Sequence, residues 1–177
     1  DSSYALAMWQ RVMAAGEEFD ITPYGTETMH VLRAEKGFII IGQDTDGSVT
    51  PVDAGMNWLL SKDKDFLGKR SLARPDCLRD DRKQLVGLRS AGDATVLPEG
   101  AQLIDAIGQG QPVPMCGHVT SSYFSACLGH PVALALVERG RARKGETIYA
   151  AVRDRDPVAV EIVSPVFYDP KGERQHA

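Results

Sequence analysis

The stretch that decides the fold lies between residues 23 and 70, where residues 23–37 read PYGTETMHVLRAEKG. Gly37 follows a helical pattern and is typical of the residue that ends a helix, so Glu35 falls in the last turn. A negative charge there opposes the helix dipole, a small penalty that a functional partner would explain. Two interpretations of Glu35 follow: a solvated carboxylate, or an acceptor for the paired N–H donors of a heterocycle edge.

The residues around this helix divide into structural candidates and ligand-binding candidates. Arg33 lies two positions before Glu35, so the two side chains diverge on a helix and Arg33 is expected to form a structural ion pair. Lys62 and Lys64 alternate with aspartates, which indicates either a solvated mixed-charge loop or capture of a flexible carboxylate tail. Trp58 follows an irregular loop and is expected to be a packing anchor.

The composition is that of a soluble globular protein and argues against several functions. The chain has 177 residues, 43% of them hydrophobic, and a formal net charge of −4. That charge disfavours a nucleic-acid surface, and no apolar run is long enough to span a bilayer. The spacing of Cys77, Cys116 and Cys127 predicts reduced cytoplasmic thiols and neither disulfides nor a zinc site. No histidine has a second ligand at metal spacing, so no metal site is predicted.

The chain divides near Arg82 into an α+β part, residues 1–82, and an all-β part, residues 83–177. Helices are expected from about residue 2 to 15 and from about residue 23 to Gly37, the second with Met29 and Leu32 facing inward. Short apolar runs separated by turn residues predict a small antiparallel β-barrel or sandwich. The six expected strands cover residues 84–89, 101–106, 113–120, 132–137, 147–153 and 158–163.

Two passages resemble the aminomethyltransferase, or glycine-cleavage T-protein, family. One is LRAEKG at residues 32–37, followed by Gly42, Asp46, Pro51, Gly55, Trp58 and FLGK at residues 66–69. The other is GHVTSSYFSACLG at residues 117–129, followed by ALALV. The wording of residues 23–37 and of VSPVFYDP at residues 163–170 is more narrowly similar to the folate-binding C-terminal region of heterotetrameric sarcosine oxidase alpha subunits. The resemblance covers nearly the whole chain.

The resemblance implies a tetrahydrofolate-binding cloverleaf of three subdomains, of which this chain is the later part: an α+β segment followed by a small antiparallel β-barrel. Glu35 falls on the family's pterin-binding glutamate, and Lys64 falls near a basic position that meets the folate tail. The family's catalytic aspartate lies upstream of these residues. No catalytic residue is therefore expected in this chain, and the fragment alone is expected to be inactive.

For a sarcosine oxidase, the resemblance further implies oxidative demethylation of sarcosine to glycine. The one-carbon unit passes to tetrahydrofolate, giving 5,10-methylenetetrahydrofolate, and hydrogen peroxide is released. FAD, FMN and NAD are expected elsewhere in the parent complex, because this sequence has no flavin or dinucleotide motif. The expected partners are the beta, gamma and delta subunits and the rest of the alpha chain.

Two other functions within the family stay open. A glycine-cleavage aminomethyltransferase, acting on a lipoyl-bound group, usually carries A-R-D at the start of the pterin helix, where this chain has GTETMH at residues 25–30. A non-enzymatic folate-binding protein of iron–sulfur assembly typically has a cysteine after the K-G pair, where this chain has Phe38. Both departures favour the sarcosine oxidase interpretation.

Overall fold

Six strands close into an antiparallel barrel, and two helices precede it in the chain. The computed structural model describes residues 1–175 except 91, 93, 94, 109 and 111. The helices are α1, Ala5–Gly16, and α2, Thr26–Glu35. The strands pair in the order β1-β4-β3-β2-β5-β6 around the barrel. Their bounds are β1 Lys83–Ser90, β2 Gln102–Ile104, β3 Gly117–Ser125, β4 His130–Glu138, β5 Thr147–Ala150 and β6 Val158–Val163.

The predicted fold class, an α+β segment followed by a small antiparallel β-barrel, is confirmed. All six predicted strands are present. The bounds of β3 differ most from the prediction: the strand begins at Gly117 instead of residue 113. Pro112 and Pro114 precede it, and a proline has no N–H to donate to a sheet ladder. The division into domains 1–82 and 83–177 stays a prediction, and residues 176 and 177 lie outside the described part of the chain.

The barrel has an inner core and a second, outer apolar cluster on one wall. Strand β6 shows the expected alternation, with Val158, Val160 and Ile162 buried in the inner core. Strand β4 is buried on both faces. Its outer face packs against the segment that follows α2 and against the C-terminal segment, in a cluster of Leu85, Leu134, Leu136, Ile39, Val49 and Phe167. This outer cluster holds both segments on the same wall of the barrel.

Helix α2 ends at Glu35 and is terminated by Gly37, as predicted. Gly37 has a φ of 70°, its N–H donates to the Ala34 carbonyl at 3.1 Å, and the Phe38 N–H donates to the Arg33 carbonyl at 2.8 Å. These two bonds are the Schellman arrangement, which needs a left-handed residue and therefore favours glycine.

The predicted buried face of α2 is wrong. Met29 and Leu32 are 46% and 48% exposed, whereas Arg33, Ala34 and Glu35 are buried. The reason is that α2 meets β3 and β4 with its last turn instead of lying along the barrel. Trp58 is also 75% exposed, so its predicted role as a packing anchor is wrong for the described residues.

None of the described helices has both the length and the apolar character needed to cross a bilayer.

A buried carboxylate, Asp53, ties the long loop to the start of the barrel. It accepts hydrogen bonds from Arg82 Nη2 at 2.6 Å and from the Thr50 hydroxyl at 2.7 Å. Its main-chain carbonyl accepts from the Leu85 N–H at 2.9 Å. Burial opposes ionisation of Asp53, but the hydrogen bonds from Arg82 and Thr50 outweigh it, so the pKa of Asp53 lies below its ordinary value.

We expect the loop around Asp53 to loosen in acid. Because the pKa of Asp53 is lower in the folded than in the unfolded chain, its contribution is complete above the ordinary value of 3.8 and is lost as the pH falls through the lower folded value. Hydrogen–deuterium exchange of the intact parent protein, corrected for the intrinsic pH dependence of amide exchange, measures this at residues 46–56. In Asp53→Asn the protection of the loop should be low and independent of pH; the same pH dependence as in the wild type would contradict the assignment.

Candidate functional site

Glu35 ends α2 with its carboxylate against the barrel. The residue is 3% exposed, and its Oε1 accepts a hydrogen bond from Ser125 Oγ at 2.6 Å. Its main-chain carbonyl accepts from the N–H groups of Phe167 and Tyr168 at 2.8 and 3.0 Å. In the part of the chain that the structure describes, Oε2 has no hydrogen-bond partner and is not fully enclosed. One carboxylate oxygen is thus held by the protein, and the other can accept from a ligand.

A buried ion pair between Arg33 and Asp44 lies next to Glu35. The Arg33 Nη1 to Asp44 Oδ2 distance is 2.5 Å, and the side chains are 9% and 0% exposed. Asp44 also accepts from the Ile40 N–H at 2.9 Å and from the Thr120 and Ser121 hydroxyls at 2.5 and 2.6 Å. The prediction that Arg33 forms a structural ion pair is confirmed. Asp44 received no role from the sequence, because its two hydroxyl partners lie 76 and 77 residues away.

A β-bulge in β3 allows two neighbouring hydroxyls to reach one carboxylate. Successive side chains of a regular strand point to opposite faces of the sheet. The pairing of β3 with β4 shifts between Val119 and Ser121, and a bulge of this kind re-aims side chains locally. Thr120 and Ser121 therefore both donate to Asp44 Oδ1.

The Arg33 guanidinium also lies over the ring of Tyr123. The guanidinium carbon lies 5.6 Å from the centre of the Tyr123 ring, within the range of a cation–π contact. Arg33 Nη2 also donates to Ser121 Oγ at 2.7 Å. The last turn of α2 is therefore fixed on β3 by the contacts of Arg33 with Ser121 and Tyr123, and Glu35 follows two residues later.

Lys64 lies on a separate, exposed loop. The Lys69 ammonium donates to the carbonyls of Lys62 and Lys64, at 3.0 Å each, and lies 5.8 Å from the centre of the Phe66 ring. The loop is thus folded around Lys69, and the Lys64 side chain is exposed. No hydrogen bond or ion pair joins Lys64 to Glu35 among the described residues, so the two predicted ligand-binding residues are not brought into contact.

Ser125 contacts the carboxylate of Glu35 but had no predicted role in ligand binding. Its partner is 90 residues away in the sequence, and serines near the end of a strand are common. The only local sign is its position at the end of β3, where the Ser125 hydroxyl accepts from the Leu128 N–H at 3.0 Å in the turn that follows.

These features define the class of α+β protein in which the end of a helix is held against a closed antiparallel β-barrel. In its last turn a helix presents a buried carboxylate, one oxygen of which has no hydrogen-bond partner among the described residues, and that turn is hydrogen-bonded to a closed six-stranded barrel. Such a carboxylate suits a ligand with two adjacent N–H donors.

Comparison with known proteins identifies the family. Residues 1–64 match the GCVT N-terminal domain, and residues 83–169 match the glycine cleavage T-protein C-terminal barrel domain. The chain therefore belongs to the glycine-cleavage T-protein family.

Individual relatives agree with this assignment. A sarcosine oxidase subunit alpha from Corynebacterium sp. (strain U-96) is 53% identical over 97% of this chain and 18% of its own length. An aminomethyltransferase from Saccharopolyspora erythraea is 35% identical over 93% of this chain and 43% of its own length. The crystal structure of aminomethyltransferase T from Bartonella henselae shares the fold, with a TM-score of 0.74 at 24% identity over 90% of this chain and 44% of that one. The chain thus spans less than half of the length of each of these relatives.

We expect Asp44→Ala to destabilise the protein by about 3–5 kcal/mol, because the buried Arg33 guanidinium would lose its counter-ion. Urea-dependent hydrogen exchange of the intact parent protein, read at residues 26–46 and in β3, measures the loss. Asp63→Ala is the control, since Asp63 is exposed and makes no described hydrogen bond or ion pair, and it should stay within about 0.5 kcal/mol of the wild type. Equal stability of the two variants would show that the ion pair does not hold α2 on the barrel.

Proposed function

We propose that this chain is the tetrahydrofolate-binding part of a sarcosine oxidase alpha subunit. The observation that carries the proposal is the Glu35 carboxylate, which is 3% exposed, accepts one hydrogen bond from Ser125 and has one oxygen without a partner in the described chain. The 53% identity to a sarcosine oxidase subunit alpha, against 35% to an aminomethyltransferase, supports this choice within the family.

Glu35 recognises the aminopyrimidinone edge of the pterin. That edge carries two adjacent donors, the ring N3–H and the 2-amino group, whose spacing matches the two oxygens of one carboxylate. Each carboxylate oxygen has about two lone-pair directions. Oε1 can therefore keep its bond from Ser125 and still accept from the ligand, while Oε2 takes the second donor.

The reaction divides between this chain and the rest of the parent protein. Sarcosine gives up two electrons to become an imine, and oxygen takes two electrons and two protons to become hydrogen peroxide. The one-carbon unit bridges N5 and N10 of tetrahydrofolate as 5,10-methylenetetrahydrofolate, and glycine remains. FAD, FMN and NAD are expected in other parts of the complex, where the flavins would supply the redox chemistry. The role of this chain is to hold the acceptor pterin in place.

The remaining parts of the proposal concern Lys64 and the partner chains. The Lys64 side chain is exposed on a loop held by Lys69 and makes no ion pair among the described residues, an arrangement that suits the acidic glutamyl tail of the folate. The catalytic aspartate belongs to the preceding part of the alpha chain, and the flavin sites lie elsewhere in the parent complex. The beta, gamma and delta subunits complete the cytoplasmic enzyme.

We expect Glu35→Ala to weaken tetrahydrofolate binding by about 1.5–3 kcal/mol, roughly tenfold to 150-fold, the range for hydrogen bonds to a charged group. In the intact complex, sarcosine should still bleach the flavin spectrum and form peroxide at the wild-type rate. The yield of 5,10-methylenetetrahydrofolate should fall, and formaldehyde from hydrolysis of the free imine should rise in its place. Titration calorimetry without oxygen and product analysis measure both effects.

The control for that experiment is Glu27→Ala, on an exposed carboxylate of the first turn of α2. It should bind tetrahydrofolate like the wild type. Unchanged folate affinity in Glu35→Ala would overturn the role of Glu35. A colourless wild-type protein that binds tetrahydrofolate but does not react with sarcosine would instead favour a glycine-cleavage aminomethyltransferase.

We expect Lys64→Ala to weaken the binding of tetrahydrofolate triglutamate about threefold to fivefold at low salt, because an exposed ion pair contributes at most about 1 kcal/mol. Binding of a tetrahydropterin without a glutamyl tail should be unchanged. Lys144→Ala, at an exposed lysine beyond β4, is the control and should affect neither ligand. An equal loss of affinity for both ligands would show that Lys64 does not contact the glutamyl tail.

A further inference from the structure

Ser125 connects the Glu35 carboxylate to the turn between β3 and β4. The residue is fully buried, and its hydroxyl donates to Glu35 Oε1 at 2.6 Å while it accepts from the Leu128 N–H at 3.0 Å. A serine hydroxyl has one hydrogen. With that hydrogen directed at Oε1 and the turn amide directed at the serine oxygen, the hydroxyl is fixed in orientation.

We propose that Ser125 is a positioning residue that orients the Glu35 carboxylate and leaves Oε2 free for the pterin. The inference rests on the proposed function of Glu35 as the pterin acceptor. It adds that recognition depends on a side chain from the barrel, 90 residues away from the helix that carries Glu35.

The backbone of Glu35 is already fixed, so its side chain is what remains to be ordered. The main-chain carbonyl accepts from two N–H groups of the C-terminal segment, those of Phe167 and Tyr168. A glutamate side chain loses up to about 2 kcal/mol of rotamer freedom when it is held in one conformation. The hydrogen bond from Ser125 orders the Glu35 side chain before the ligand binds. Less rotamer entropy is then lost on binding, and this preorganisation raises the affinity.

The same strand offers a matched control in Ser122. It is 6% exposed, and its hydroxyl accepts from the Leu97 N–H at 3.0 Å. No hydrogen bond joins it to Glu35 among the described residues. Ser122→Ala therefore removes a buried hydroxyl from β3 and leaves the carboxylate of Glu35 untouched.

A double-mutant cycle in the intact parent complex tests the proposal, with tetrahydrofolate as the probe and titration calorimetry without oxygen as the measurement. Ser125→Ala should weaken binding about tenfold, the equivalent of one hydrogen bond. In the Glu35→Ala background, the same change should cost less than about twofold, because a residue that acts through Glu35 has nothing left to position. Ser122→Ala should stay within about twofold of the wild type in both backgrounds.

Each other result has a separate meaning. If Ser125→Ala weakens binding equally with and without Glu35, the residue acts on the fold and the positioning role is overturned. If Glu35→Ala weakens binding but Ser125→Ala matches Ser122→Ala, the positioning role fails while the proposed function stands. If the wild type does not bind tetrahydrofolate, the proposed function fails and the inference fails with it. If Glu35→Ala binds tetrahydrofolate normally, the role of Glu35 fails, and the positioning role of Ser125 fails with it.

A second variant keeps the test decisive if Ser125→Ala does not accumulate as folded protein. Ser125→Cys keeps nearly the same volume and replaces the hydroxyl by a weak donor. It should weaken binding by about threefold, less than the alanine variant, and this loss too should vanish when Glu35 is absent. Wild-type affinity in Ser125→Cys would overturn the role of the hydroxyl.

Discussion

The buried pairing of Arg33 with Asp44 is the interaction on which the rest of the site depends. Removing two charges from water is costly, and an ion pair offsets this cost only when its remaining donors and acceptors are also satisfied. The Asp44 side of the pair meets that condition, since Asp44 accepts from Arg33, from the Ile40 N–H and from two hydroxyls of β3. On the Arg33 side, both Nη atoms donate, while the buried Nε has no hydrogen-bond partner among the described residues. These bonds join the helix, the loop after it and the barrel at one point.

The position of Glu35 follows from that anchor and from helix geometry. Residues two positions apart on a helix point about 200° away from each other, so Arg33 and Glu35 cannot share a partner. Arg33 reaches Ser121 and Glu35 reaches Ser125, sites about 13 Å apart along a strand. The two side chains of the last turn of α2 reach these separate sites on β3, and the C-terminal segment donates to the Glu35 carbonyl. The carboxylate is therefore placed by three separate parts of the chain.

Features set by local chemistry could be predicted from the sequence, and features set by distant contacts could not. Gly37 ends α2 because the helix needs a left-handed residue there, and alternation with turn residues indicated all six strands. The inward-facing stripe of α2 was wrong because an apolar stripe predicts a helix that lies along a core, whereas α2 meets the barrel end-on. Asp44 had no local signal in the sequence and Ser125 had only its place at the end of a strand, since their partners lie 76 to 90 residues away.

The three buried carboxylates of the described chain differ in how far the protein satisfies them. Asp44 and Asp53 each accept from an arginine and from several further donors. Glu35 is as buried as Asp53, both being 3% exposed, but accepts a single side-chain hydrogen bond from a neutral hydroxyl. A buried carboxylate without a full set of donors costs stability. Among the described residues the fold supplies donors to two of these groups in full and to the third only in part, and that contrast is the physical argument that supports the proposal of ligand recognition at Glu35.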